Sequence, residues 1–293
     1  MRRHRFSGVE EVRRRLEQVG YLSDDALATV VLLADRLDKP LLVEGPAGVG
    51  KTELAKAIAA ALGISLIRLQ CYEGVDEAKT LYEWNYKKQL LRIQAGPGES
   101  WSDVEEDIFS EPFLLERPVL RAIRSEEPVI LLIDEVDKLD VEAEALLLEV
   151  LSDWQITVPE LGTVSAREIP FVVLTSNNDR ELSEALKRRC LYLHLDYPDL
   201  ERERAIVLAR VPEITETLAT QVVSVVRSIR DLELKKAPSI AETLDWARTL
   251  LHLNVSTLDD DTLARTLPVL LKFRSDLEKA GRHLKIAPEH SGN

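Results

Sequence analysis

A chain of 293 residues is long enough for one large or two modest domains, and 45% hydrophobic content is ample for a core. The 51 Asp and Glu against 38 Lys and Arg leave a net charge of −13, which repels a nucleic-acid backbone unless basic residues gather on one face. No apolar run reaches the roughly 18 to 20 residues of a membrane span, and no apolar stretch follows the basic N-terminal residues as in a secretory signal. Cys71 and Cys190 are too few for a disulfide framework. A cytoplasmic protein with both thiols reduced is expected.

Two helices are predicted before residue 40, Val9 to Val19 and Asp24 to Leu37, the second with Ser23-Asp24 as its cap signal. Leu41-Leu42-Val43 then reads as a buried strand that breaks into Gly45-Pro46-Ala47-Gly48-Val49-Gly50-Lys51-Thr52. This run satisfies G-x-x-x-x-G-K-[ST], a phosphate-binding loop. Its glycines let successive backbone N–H groups converge on phosphates, Lys51 can reach the β- and γ-phosphates, and the Thr52 hydroxyl suits Mg²⁺. A helix opening at Lys51-Thr52-Glu53 adds its positive end. A nucleoside triphosphate with Mg²⁺ is the predicted ligand.

Ile64 to Leu69 alternates as a second strand. From Cys71 to Pro118 the pattern is irregular and far longer than an ordinary connection. Within it, Glu83 to Ile93 reads as a helix or a small hairpin, either facing a partner or simply packing Trp84 and Tyr86 on the surface. Phe113 to Ile123 returns to helical periodicity, interrupted by Pro118. Pro128 to Ile133 is continuously apolar, as a central parallel strand requires, and it delivers Asp134 and Glu135 at its C-terminal end. Ligands bind at that end of α/β sheets. Asp134 is assigned to Mg²⁺ through water, and Glu135 to orienting and partly deprotonating the attacking water. Asp137 and Asp140 are read as solvated caps of a helix from Val141 to Leu151.

Gln155 to Pro170 is predicted to form a β-hairpin around Pro159-Glu160-Leu161-Gly162. The strand Phe171 to Ser176 ends in Asn177-Asn178. Asn177 is assigned to the γ-phosphate or the attacking water, with a plain turn former as the alternative. A helix from Glu181 ends in Lys187-Arg188-Arg189, which are either partners of the helix dipole or an arginine finger offered to the γ-phosphate of a neighbouring subunit. A strand from Leu191 to Leu195 follows, with His194 expected to be packed. Beyond Asp196-Tyr197-Pro198 the pattern is helical. The expected organisation is an α/β nucleotide-binding domain over residues 1–197, an α-helical lid over 198–285 and a tail over 286–293.

The segments GPAGVGKT, ILLIDE, LTSNN and ALKRRC, in this order and followed by a helical lid, resemble the AAA+ ATPases along nearly the whole chain. The hairpin before LTSNN and the insertion after the second strand are similar to the MoxR group. CYEGVDEAKTLYEWNYKKQLL and APSIAETLDWARTLL resemble its CoxD-like branch. The resemblance implies a P-loop parallel sheet with helices on both faces, hairpin insertions and a C-terminal α-helical lid. It further implies an ATP-driven homo-oligomer, a hexameric ring, acting as a chaperone with a von Willebrand A-domain partner. The implied client is a metalloenzyme such as carbon monoxide dehydrogenase. By the same resemblance Asn177 is sensor 1, Arg189 is the finger with Arg188 in reserve, and the segment of Tyr21 lines the adenine pocket, although a core aromatic is an equal reading of Tyr21. One position departs: Ile240 stands where the family places a second-sensor arginine, with Lys235, Lys236 and Arg248 as candidate substitutes. Two rival readings stay open, a DNA-linked motor of the same fold and a nucleotide-gated binding switch with negligible turnover.

Overall fold

The three apolar runs around residues 41, 129 and 171 become the interior strands of one parallel sheet, because each offers side chains that can be buried on both faces. The computed structural model describes residues 4–74, 80–95 and 101–286; two pieces of the irregular stretch, 75–79 and 96–100, and the tail beyond Ile286 lie outside them. The described residues divide into two compact units. The first runs to Gly45 and from Lys51 to Leu195, and the second groups Pro46–Gly50 with the chain from Asp196 onward.

In the first unit, helices α1 (Val9–Gln18) and α2 (Asp25–Leu37) precede strand β1 (Leu41–Glu44), helix α3 (Lys51–Leu62) and strand β2 (Ser65–Gln70). Two short strands, β3 (Tyr82–Trp84) and β4 (Leu114–Glu116), pair antiparallel and bracket helices α4 (Tyr86–Ala95) and α5 (Trp101–Ile108). Helix α6 (Pro118–Ile123), strand β5 (Val129–Asp134), helix α7 (Val141–Asp153), the hairpin β6 (Gln155–Val158) and β7 (Gly162–Ser165), strand β8 (Phe171–Ser176), helix α8 (Glu184–Arg189) and strand β9 (Leu191–His194) complete it. The main sheet has the order β2-β5-β8-β1-β9 with every pair parallel. Alternate residues go to opposite faces. Leu41, Val43, Ile130, Leu132 and Val173 join a core with α1, α2 and α3. Leu42, Leu131, Ile133, Val172 and Leu174 join the core of α6 and α7. The sheet therefore carries helices on both faces.

Two local readings change. Glu83 to Ile93 contributes both a strand end and a helix, and Trp84 is 7% exposed with its ring edge-on to Phe109 at 5.3 Å, while Tyr86 is exposed. Phe113 to Ile123 is no single helix. Residues 114–116 pair with β3, and Pro118 opens α6 at its first position, where a missing N–H costs nothing.

In the second unit the chain from Asp196 onward forms helices α9 (Leu200–Arg210), α10 (Glu216–Arg230), α11 (Ile240–His252), α12 (Asp260–Leu270) and α13 (Arg274–His283). Asp199, Thr215, Ser239 and Asp259 each accept a backbone N–H from the first turn that follows, which fixes where these helices begin. Fully buried Trp246 anchors the core, its indole N–H donating to Thr266 Oγ1 at 2.8 Å. Arg230 and Glu203 form a buried bidentate pair, 2.5 and 2.9 Å, and Arg230 also donates to the Pro238 carbonyl at 2.7 Å. No helix among the described residues is long and apolar enough to cross a membrane.

Candidate active site

At the end of β1 the chain must turn under the edge of its neighbours. A Cβ at Gly45 would lie 1.9 Å from the Leu195 carbonyl oxygen, so only glycine fits there, and the Gly45 N–H donates to the Ser176 carbonyl at 3.3 Å. Lys51, the first residue of α3, is 6% exposed. Its ammonium donates to the Gly45 carbonyl at 2.7 Å and to Asn177 Oδ1 at 2.8 Å. Burial pulls the Lys51 pKa below its ordinary value, and the nearby carboxylates of Asp137, Asp134 and Glu135 pull it back up. The loop and the end of β8 are thus joined through one cation.

Within the second unit, the middle of the loop meets the start of α11. A Cβ at Gly48 would lie 2.1 Å from Ser239 Cβ, and the Ile240 N–H donates to the Gly48 carbonyl at 3.2 Å. Ile240 therefore meets the loop through its main chain and carries no charge to it. Lys235 and Lys236 give their backbone N–H groups to Asp276, Lys236 Nζ lies 3.6 Å from Glu242, and Arg248 pairs with Asp245 at 3.1 Å.

Asp134 is 2% exposed and is surrounded by donors from three elements. The Thr52 and Thr175 hydroxyls donate to its Oδ1 at 2.9 and 2.5 Å. The Arg68 guanidinium donates to Oδ2 through Nε at 3.0 Å and Nη2 at 2.5 Å. The sheet explains this ring. Arg68 lies opposite Leu132, and a residue two positions along β5 points to the same face; Thr175 comes from the strand on the other side. Thr52 oxygen and an Asp134 carboxylate form a hard-oxygen pair that fits Mg²⁺, which takes one or two carboxylates together with phosphate and water oxygens.

The strand stops between the two acids. Glu135 adopts a left-handed backbone, φ 58° and ψ 50°, which for a non-glycine residue costs about 1–3 kcal/mol, and its N–H donates to Thr175 Oγ1 at 2.9 Å. Asp137 is not a solvated cap. It is 3% exposed and its Oδ2 accepts the N–H groups of Asn177 at 3.2 Å and Asp179 at 3.0 Å. Asp140 does cap α7, accepting from Ala143 N–H at 2.7 Å. Neither Asp137 nor Arg68 gave a sequence signal, because their partners lie 40 or more residues away along the chain.

Helix α8 starts at the Ser183 cap rather than at Glu181. On it Arg188 is exposed and paired with Glu184 at 2.6 Å, whereas Arg189 is half-buried and donates to the Ala185 carbonyl at 2.9 Å and to Ser152 Oγ. Tyr21 is half-buried against the α1–α3 core, with its N–H on the Leu16 carbonyl at 2.9 Å. Lys51, Thr52, Asp134 and Asn177 are therefore drawn together, with Glu135 one residue past Asp134. The two arginines lie at the end of a separate helix and bond to their own surroundings.

Comparison with known proteins identifies the family. The chain is 25% identical over 239 residues to an uncharacterised protein of Staphylococcus haemolyticus, covering 79% of this chain and 83% of that one. It is 26% identical over 215 residues to the denitrification regulatory protein NirQ of Stutzerimonas stutzeri, covering 70% and 68%. Among solved structures, a RuvB variant of Thermotoga maritima shares the fold with a TM-score of 0.50 at 18% identity, over 90% of this chain and 71% of the other. The model of the ATPase family associated with various cellular activities (AAA) matches residues 41–195, which span the loop, both acids, Asn177 and the arginine pair. The chain belongs to that AAA family and is a nucleotide-binding ATPase.

Proposed function

We propose that this protein hydrolyses Mg²⁺-ATP at subunit boundaries of a homo-oligomeric ring and uses the resulting motion to remodel a protein partner. The observation that carries the catalytic half is the convergence of Lys51 on Asn177 at 2.8 Å and of Thr52 on Asp134 at 2.9 Å, both at the C-terminal edge of the sheet. In this reading the backbone N–H groups of residues 45 to 52 cradle the phosphates, and Lys51 moves from the Gly45 carbonyl and Asn177 to the β- and γ-phosphates. Asn177, released from Lys51, orients the γ-phosphate or the attacking water. Glu135 accepts the proton of that water as general base. Thr52 and Asp134 would hold the metal, which would supply charge neutralisation on the phosphate oxygens. Arg189, with Arg188 beside it, completes the neighbouring subunit's site. Tyr21 is assigned to the adenine end.

The finer assignment is to the MoxR group and its CoxD-like branch, with a von Willebrand A-domain partner and a metalloenzyme client such as carbon monoxide dehydrogenase. Similarity to NirQ, a denitrification regulatory protein, supports an ATPase that serves another enzyme system. The net charge of −13 favours a protein client over nucleic acid. The test of the catalytic assignment is Glu135→Gln. ATP binding should be retained while turnover falls about 10²–10⁴-fold, the usual contribution of a general base. Undiminished turnover would remove Glu135 from the role, and capture of a partner by the ATP-bound variant would identify the client.

A further inference from the structure

Asp134 has its acceptor positions filled by donors of this chain. Two hydroxyls occupy Oδ1 and two guanidinium N–H groups occupy Oδ2. The four donors differ in how tightly they are held. Thr175 belongs to a fully buried strand, and Thr52 to the first turn of α3. Arg68 lies on the edge strand β2, its side chain is 46% exposed against 3% for Asp134, and its Nη2 also reaches Gln70 Oε1 on the same strand. Of the donors it alone carries charge, and it has a second acceptor and open solvent within reach. A guanidinium and a divalent cation on one carboxylate repel each other, so the two cannot share Asp134 without loss.

We infer that Arg68 is a displaceable counter-ion of the metal carboxylate. It holds Asp134 in the metal-free protein, and it yields Oδ2 for Gln70 and solvent when Mg²⁺-nucleotide binds. Arg68 thereby prevents an uncompensated buried carboxylate from opposing the phosphates of an incoming nucleotide, and it sets how strongly nucleotide binding depends on metal. The inference rests on the proposed nucleotide site.

The test measures the affinity of the whole chain for a fluorescent ATPγS analogue in EDTA and in saturating Mg²⁺, and compares the ratio of the two dissociation constants. In Arg68→Gln the bare Asp134 weakens binding without metal, and the lost competitor strengthens binding with it. The ratio should rise about tenfold over the natural protein, the scale of one charge-assisted pair on a half-exposed side chain. Arg68→Lys keeps the charge without the fork and should raise the ratio by a smaller factor; it carries the comparison if thermal melting shows that Arg68→Gln does not fold. A ratio that stays the same or falls would overturn the inference, because a permanent support of Asp134 acts equally with and without metal or loses metal affinity when removed. A natural protein that binds no analogue under either condition would instead tell against the nucleotide site itself.

Discussion

Replacing Asp137 by alanine removes the carboxylate that fixes the turn bearing Asn177. Two charge-assisted hydrogen bonds are lost, to the N–H groups of Asn177 and Asp179 at 3.2 and 3.0 Å. At these long separations each contributes near the low end of its range, about 1.5 kcal/mol. Against their sum stands relief, since Asp137 Oδ1 is buried without a partner among the described residues and its desolvation is no longer suffered. The expected net loss is about 2 kcal/mol, read from the denaturant midpoint at unchanged slope. Turnover should fall further than stability accounts for, because a displacement of about 1 Å in a positioned group costs about 10²-fold. The decisive assay is a double-mutant cycle with Asn177→Ala on steady-state ATP hydrolysis. If Asp137 acts through Asn177, adding Asp137→Ala to Asn177→Ala should cost less than about 3-fold more, while the stability loss persists. Full multiplicative losses, or a stability loss with turnover intact, would refute the positioning role.

The proposed finger predicts complementation between subunits. Arg189→Ala and Glu135→Gln should each hydrolyse poorly alone, and mixed rings should recover activity where a Glu135→Gln subunit lends its arginine to an intact site; recovery only with Arg188→Ala in place of Arg189→Ala would transfer the role to Arg188. In the helical unit, Arg230→Ala leaves Glu203, 2% exposed, without its bidentate partner and should destabilise by about 3–5 kcal/mol in chemical denaturation. Arg230→Met with Glu203→Leu should be close to neutral, and a small loss in Arg230→Ala would mean that water reaches the pair.

Local constraints were legible in the sequence and distant ones were not. Gly45 to Thr52 announces itself because the turn, the close approach to Leu195 and the cation all fall within one short run. β5 announces itself because both its faces are buried, so its residues read as one apolar block. The same logic explains the failures. Asp137 looks like any polar residue before a helix, since its Oδ2 serves main-chain groups that no side-chain pattern encodes. Arg68 looks like the exposed member of an alternating edge strand, and only the pairing of β2 with β5 brings it to Asp134. Phe113 to Ile123 carried helical spacing, but pairing of residues 114–116 with β3 overrode it. Ile240 was conspicuous as a missing arginine, and its N–H on Gly48 is a contact that any residue except proline could make.

The position of β8 explains why one short segment can govern the whole site. It lies between the loop strand β1 and the acid strand β5, and its last residues serve both neighbours. Thr175 donates to Asp134 and accepts the Glu135 N–H, Ser176 gives its carbonyl to Gly45, and Asn177 accepts from Lys51. Because strand side chains alternate, a one-residue slip of β8 would turn Thr175 to the opposite face and bring a residue from the other core into its place. The apolar pattern of Phe171 to Leu174, split between two cores, forbids that slip. Burial of four ordinary side chains thus sets the register on which the polar constellation depends, and the strand that holds the site together is specified by packing rather than by the chemistry it positions.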